Sequence, residues 1–232
     1  MIIKGSLTPS MRIGGIRLIP KKGELGDISN WRPISLFSVV YKLFSGALTK
    51  RLEPFIDSIA SKNQKGYSRT KRIHDSLINI LDLMNICSKD NIDLITIAVD
   101  FSKAFDSVHE PFISKCLDFF NFGPSLKKMV KVCLNERMGC IITPNGLTPN
   151  FKLEQGVPQG DRLSPYLFVI CIEILLIKIN YTETLSIPSP AGLPKPSKLE
   201  GFADDITVNL RANFDNLNLL NQILLNFKIL VG

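Results

Sequence analysis

The chain has 232 residues, 45% of them apolar and 21% charged, with a mean hydropathy of +0.15. That balance excludes a disordered tail or a fibrous repeat and leaves enough apolar side chain for a sizeable core. The net charge of +7 is uneven: residues 1–75 carry 14 Lys and Arg against 5 Asp and Glu, and residues 76–232 carry 14 against 16.

In chain order, Ile16–Ile19 reads as a short strand that ends in the basic turn Pro20-Lys-Lys-Gly23. A second apolar stretch begins after Trp31-Arg32-Pro33. Val40, Phe44, Leu48, Leu52 and Phe55 recur at helical spacing, with Pro54 near the end. Ile73, Leu77, Ile80, Leu81 and Met84 repeat that pattern. Leu94–Val99 is a nearly unbroken apolar run bounded by acids, the pattern of a buried strand. Pro111–Phe120 reads as a helix stopping near Gly123-Pro124. Cys140–Thr143 and Phe151–Leu153 flank Asn145-Gly146, a hairpin signal. Ser164 is a helix N-cap candidate with Pro165 opening an apolar helix to about Ile179. Ser186–Lys198 is a proline-rich loop, Gly201–Leu210 a strand, acidic turn and strand, and Leu217–Leu230 a last amphipathic helix. Irregular alternation with hairpins predicts α+β in place of a doubly wound parallel sheet. The change in charge predicts two regions, a basic one over 1–90 and a second over 91–232.

The longest apolar run, Leu167–Ile177, is 11 residues and contains Glu173. A bilayer span needs roughly 20, so no membrane helix is expected, and the chain reads as intracellular with nucleus and cytoplasm both open. Five cysteines (Cys87, Cys116, Cys133, Cys140, Cys171) form no Cys-x-x-Cys pair and have only His74 and His109 beside them. Reduced core cysteines are expected, without a zinc knuckle or disulfide framework.

The chemistry points to acids. Asp100 follows the strand Leu94–Val99, and Asp204-Asp205 sits inside an otherwise apolar hairpin. Carboxylates at the ends of apolar strands are costly unless a cation or hydrogen bonds compensate. Hard divalent ions take oxygen ligands, usually one or two carboxylates with substrate phosphates. Taken singly, each acid also fits a solvated turn or a helix cap.

The surrounding words carry more information. Leu18-Ile-Pro-Lys-Lys-Gly23 is followed by Asn30-Trp-Arg-Pro-Ile-Ser-Leu36, Tyr41-Lys42 and Arg51-Leu52. Then come Val99-Asp-Phe-Ser-Lys-Ala-Phe-Asp-Ser-Val-His109, Gln155-Gly-Val-Pro-Gln-Gly-Asp-Arg-Leu-Ser-Pro165 and Gly201-Phe-Ala-Asp-Asp205. Blocks in this order resemble reverse transcriptases, and their wording is similar to that of non-LTR (LINE-like) retrotransposons over residues 12–232.

The resemblance implies a right-hand polymerase architecture: an antiparallel palm sheet with helices on one face, plus fingers. Residues 1–90 would be fingers-like with the first palm elements, and 91–232 the palm. It implies RNA-directed DNA polymerase activity, with two Mg²⁺ (or Mn²⁺) ions serving nucleotidyl transfer from a dNTP to a primer 3′-hydroxyl. Asp100 and Asp204 would be ligands, with Asp205 in support and the Phe101 carbonyl completing the set. Asp106 matches a further acid and equally a helix cap. Phe105 matches the bulky residue that clashes with a 2′-hydroxyl, and it also fits an ordinary core position. Gly156, Gln159 and Gly160 match the block that approaches nucleotide and template, where glycine leaves room for backbone. Arg32 and Lys22, or Lys21, would contact the triphosphate. Among the basic positions Lys62, Lys65, Arg69, Lys71 and Arg72, the template or primer contacts would include Lys65 and Arg69, with a solvated face as the other reading. The partners implied are an RNA template, a DNA primer and dNTPs. The chain ends soon after the Asp-Asp hairpin, so a thumb, primer grip and endonuclease of a parent polyprotein are expected to be missing. A catalytically inactive nucleic-acid-binding remnant is the alternative.

Overall fold

A computed structural model describes residues 6–68, 70–101, 103–189 and 196–231. Local patterning sets most elements near their expected bounds. The helices are α1 (Pro9–Arg12), α2 (Val39–Ile59), α3 (Ile73–Lys89), α4 (Ala104–Ser107), α5 (Glu110–Phe119), α6 (Pro124–Leu134), α7 (Ser164–Tyr181) and α8 (Phe214–Val231). The strands are β1 (Ile13–Pro20), β2 (Trp31–Leu36), β3 (Leu94–Val99), β4 (Met138–Thr143), β5 (Gly146–Leu147), β6 (Phe151–Lys152), β7 (Leu199–Phe202) and β8 (Asp205–Arg211). The α+β expectation holds.

Contacts divide the chain into two compact units that are each discontinuous in sequence: residues 1–53 with 105–167, and 54–104 with 168–232. A single break near residue 90 was expected. The difference arises because α2, α4 and α7 each run across a division, so the chain leaves each unit and returns to it.

The first unit holds a five-stranded sheet in the order β2-β1-β4-β5, with β6 also on β4. β1 and β2 are antiparallel, setting Ile19 opposite Arg32. β1 and β4 are parallel, with Ile13 opposite Met138. The expected hairpin closes through a Pro144-Asn145 turn, with Gly146 already paired to Thr143, but the return is split between β5 and β6, which pair with opposite ends of β4. α6 was not anticipated. Gly123-Pro124 looks like a stop, yet Gly123 is its N-cap and Pro124 opens it, where a missing N–H costs nothing. Tyr41, Leu52, Ile113, Leu117, Cys133 and Leu163 are among its fully buried side chains.

The second unit is built on a three-stranded antiparallel sheet, β3-β8-β7. Ile206, Val208 and Leu210 of the central strand β8 are buried, and Thr96 of β3 donates to the buried Asn209 across the ladder (3.0 Å). The apolar run of β3 reads as a buried strand. It is an edge strand, with Thr96 and Ala98 exposed, because its ladder is with β8 alone among the described residues. α3 packs on β7, and Leu83, Cys87, Ile92, Leu94 and Ile187 form an apolar cluster.

Ser164 does not cap α7. Leu167 N donates to Leu163 O, so the helix starts one residue earlier, and Ser164 Oγ finds no partner among the described residues. By length and composition α7 could cross a membrane, contrary to the expectation that no segment qualifies. Most of that window is buried, including Val169, Ile172 and Leu176, as in a core helix. All five cysteines are free and buried, as expected. Residues 190–195 of the proline-rich loop lie outside the described residues.

Candidate active site

The acids converge through strand register. Val99, the last residue of β3, faces Ile206 on β8. One step further the chain reaches Asp100, at the same end of the sheet as Asp205, the first residue of β8. β7 and β8 are joined by a two-residue turn, Ala203-Asp204, closed by the pair Phe202–Asp205. Asp100 and the adjacent pair Asp204-Asp205, distant in the chain, thus share one end of one sheet. Asp100 and Asp205 are exposed and Asp204 is half-buried. No Lys or Arg forms an ion pair with any of them among the described residues.

The backbone around these acids is bent into a conformation that L-residues avoid. Lys103, Ala203 and Tyr67 have φ of 54°, 57° and 58°. Each left-handed residue costs roughly 1–2 kcal/mol, so the surrounding contacts must hold them. At Ala203 those contacts are visible. Gln64, fully buried, accepts from Ala203 N (2.9 Å) and Gly66 N (2.8 Å) through Oε1, and donates through Nε2 to Ala203 O (3.2 Å). Its neighbours extend the sheet: Gly201 N donates to Asn63 O (2.9 Å) and Lys65 N to Gly201 O (2.8 Å). A Cβ on Gly66 would lie 2.3 Å from Ala203 N, so only glycine fits there. Tyr67 follows, its phenol pKa raised first by burial and then by the charge of Asp204.

Phe101 is half-buried, its ring edge-on to Phe227 of α8 (centroids 6.4 Å apart) and its carbonyl accepting from Ala104 N (3.2 Å). Lys65 does not face solvent. It is buried and paired with Glu200 (3.5 Å), which also accepts from Ser76 Oγ (2.8 Å) and Asn79 Nδ2 (3.0 Å). Expected on a template phosphate, Lys65 instead compensates a carboxylate inside the unit. Lys71 donates to Ala60 O and Ser61 O, Lys62 and Arg72 are exposed, and Arg69 lies outside the described residues.

The remaining expected residues belong to the first unit. Phe105 is half-buried, and its carbonyl accepts from Val157 N (2.7 Å). Gln159 Nε2 lies 3.4 Å from Asp106 Oδ2, and Gly156 N donates to Val108 O (3.1 Å). Thus the Phe105-Asp106 and Gly156–Gln159 words, about 50 residues apart, meet. Gly156 has φ +79° and a Cβ on it would strike Asp106 Cα at 2.8 Å. The exposed Gly160 is also left-handed, at +102°. Two groups that sequence reading missed anchor this loop. Buried Arg137 donates to Gly156 O (2.7 Å) and Leu134 O (2.9 Å), and buried Asp161 accepts from Tyr41 OH (3.1 Å). Burial raises the Asp161 carboxyl and pushes the neighbouring Cys133 thiol up to about 12. Lys21, Lys22 and Arg32 line an open recess with Pro20 at the β1–β2 turn. Lys21 Nζ donates to Ser29 O (3.3 Å), and Lys22 and Arg32 are exposed.

Residues 19–228 match the model of the reverse transcriptase (RNA-dependent DNA polymerase) family. The chain belongs to that family. A transposon TX1 protein of 149 kDa from Xenopus laevis is 30% identical over 207 residues, 88% of this chain and 15% of its own length. A retrovirus-related Pol polyprotein from a type-1 R2 retrotransposable element of Popillia japonica is 33% identical over 193 residues, 82% of this chain and 26% of its own. This reverse transcriptase domain therefore spans about a quarter or less of the curated relatives it matches, and those relatives bear out the non-LTR resemblance.

Solved structures extend the likeness in fold. A telomerase from Candida tropicalis, truncated from its C-terminal domain, superposes with a TM-score of 0.63 at 16% identity, over 96% of this chain and 49% of that one. An RNA-dependent RNA polymerase of BmCPV at its elongation state gives 0.61 at 11%, over 94% and 20%. The reverse transcriptase domain has the polymerase palm fold these structures share, and its β3-β8-β7 sheet carries the acids.

Proposed function

We propose that this domain is the RNA-directed DNA polymerase of a non-LTR retroelement, transferring nucleotides from dNTPs to a primer 3′-hydroxyl on an RNA template. One observation carries the reading: β3 and the β7–β8 turn deliver Asp100, Asp204 and Asp205 to the same end of one antiparallel sheet. No group of three or more acidic, imidazole or thiol side chains placed to hold a metal ion is found among the described residues. The donor set nevertheless fits Mg²⁺, which prefers a few carboxylate oxygens and keeps positions for water and substrate phosphate. Asp100, Asp204 and Asp205 would hold two such ions, with the Phe101 carbonyl, which has a second lone pair beside its bond from Ala104. Bound there, the ions supply Lewis acidity toward the primer hydroxyl and neutralise charge on the triphosphate.

The chain's own residues do the rest by positioning. Arg32 offers a planar fork and Lys22 a point charge to triphosphate oxygens. Phe105 sets a ring against a 2′-hydroxyl, and the Gly156–Gly160 loop gives nucleotide and template close access to backbone. The test is extension of a DNA primer on an RNA template at varied Mg²⁺. Extension by the unsubstituted chain and its loss in Asp204→Ala, with template–primer binding retained, is expected. An unchanged rate in that variant overturns the reading, and binding without extension at any Mg²⁺ concentration would favour an inert binding remnant.

A further inference from the structure

We infer that Gln64 is a positioning residue for the acidic turn: its side-chain amide clamps the backbone of Ala203 and thereby sets where Asp204 projects. The inference rests on the polymerase reading for its consequence and on geometry alone for the clamp.

A buried primary amide is costly unless its donors and acceptor are bonded. Gln64 has no exposed surface, and its amide is committed to the main chain on both sides. Oε1 takes the N–H of Ala203 and Nε2 gives to the carbonyl of the same residue, a reciprocal pair of the kind two strands exchange. The third bond, from Gly66 N to Oε1, fixes the amide plane from its own segment. Gln64 thus satisfies both main-chain groups of a buried, left-handed residue, and the next residue is Asp204.

Two further features show that the segment is built against the turn. Asn63 and Lys65 exchange main-chain bonds with Gly201, placing Gln64 beside β7 as a short parallel bridge. Gly66 approaches Ala203 so closely that no Cβ fits between them. Asn63 is itself pinned, donating to Leu199 O (2.8 Å) and accepting from Asn180 Nδ2 (3.2 Å). Truncating Gln64 leaves the N–H and carbonyl of Ala203 buried without these partners, and a strained φ without its restraint. The turn then samples other conformations, and the Asp204 carboxylate moves with it. Residues that orient metal ligands typically change metal affinity or activity about 10–100-fold when removed.

The test compares the full chain with Gln64→Ala and with Gln64→Met, which keeps length and packing volume but cannot replace the amide bonds. Hydrogen exchange over 201–206 reads the clamp without reference to activity. It should quicken in both variants while exchange in β8 beyond Val208 stays as it was, and unchanged exchange at the turn overturns the clamp. Mn²⁺ binding followed by electron paramagnetic resonance reads the consequence. The half-saturating concentration should rise by about 10–100-fold in both variants, with template–primer affinity unmoved. Faster exchange with an unaltered Mn²⁺ midpoint and an unaltered Mg²⁺ dependence of extension makes Gln64 a structural residue only and overturns the positioning role. Mn²⁺ binding in the unsubstituted chain that is indifferent to Asp204→Ala would instead refute the polymerase reading, with the exchange result still deciding the clamp.

Discussion

At the scale of single residues, the site combines side chains chosen for chemistry with others chosen for shape. Asp100, Asp204 and Asp205 were legible because each sits where an apolar run stops, and because the words around them are distinctive. Phe105 was legible in the same way, with two readings: a core ring or a sugar gate. The residue is half-buried and its own carbonyl accepts from Val157 N. Shortening the ring in Phe105→Ala should raise incorporation of ribonucleotides relative to deoxyribonucleotides by about 10-fold or more, the discrimination a shaped pocket can supply. Parallel extension with rNTPs and dNTPs measures the ratio, and an unmoved ratio assigns the ring to packing. Gln64 was not legible. It stands in a run of basic residues (Lys62, Lys65, Arg69, Lys71, Arg72) that reads as one charged surface, and nothing local announces a buried amide.

Among elements, the same basic run separates what composition suggests from what packing decides. Lys65 follows Gln64 on the segment laid against β7, and alternation along that segment turns its ammonium toward Glu200 of β7, with Ser76 and Asn79 of α3 completing the shell. Removing one partner of a buried pair strands the other charge, at a cost of about 3–5 kcal/mol. Lys65→Met should therefore lower the unfolding midpoint markedly. A phosphate contact predicts the opposite pattern: intact stability and a log–log salt slope of nucleic-acid binding that is shallower by about 0.9 on duplex DNA. Denaturant melts and binding at several salt concentrations separate the two. Helix and strand bounds followed periodicity closely for α2, α3, α5 and α8. They failed at α6, where Gly-Pro reads as a terminator; at β3 the bounds held, and only the burial that its apolar run suggests did not. Both errors share a cause: a local word is compatible with two placements until a neighbouring element chooses.

For the molecule as a whole, pH tests the packing of the second unit. Glu173 on α7 is buried, accepts from Ser61 N (2.8 Å), and has its other oxygen, Oε2, without a hydrogen-bond partner among the described residues. Burial raises its carboxyl from an ordinary 4.5 to about 7, opposed by the bond from Ser61 N and by Lys71. An acid held above its unfolded value binds its proton more tightly in the folded state, so its contribution to stability falls as pH rises from about 4.5 to about 7 and is level above that. Glu173→Gln, which keeps an acceptor for Ser61 N, should flatten the stability curve across that window. Urea midpoints at closely spaced pH values provide the measurement, and an equal slope in both proteins removes Glu173 as its source. Read without coordinates, the chain already disclosed its fold class, its order of blocks and its acids, since metal and phosphate chemistry demands particular residue types in short contiguous words. Tertiary structure alone decided that residues 64 and 203, separated by 139 positions, share one amide clamp. It also decided that Lys65 turns inward and that β1 lies parallel to β4. Such pairings depend on which distant backbone groups are buried together, and no periodicity within one segment encodes its partner.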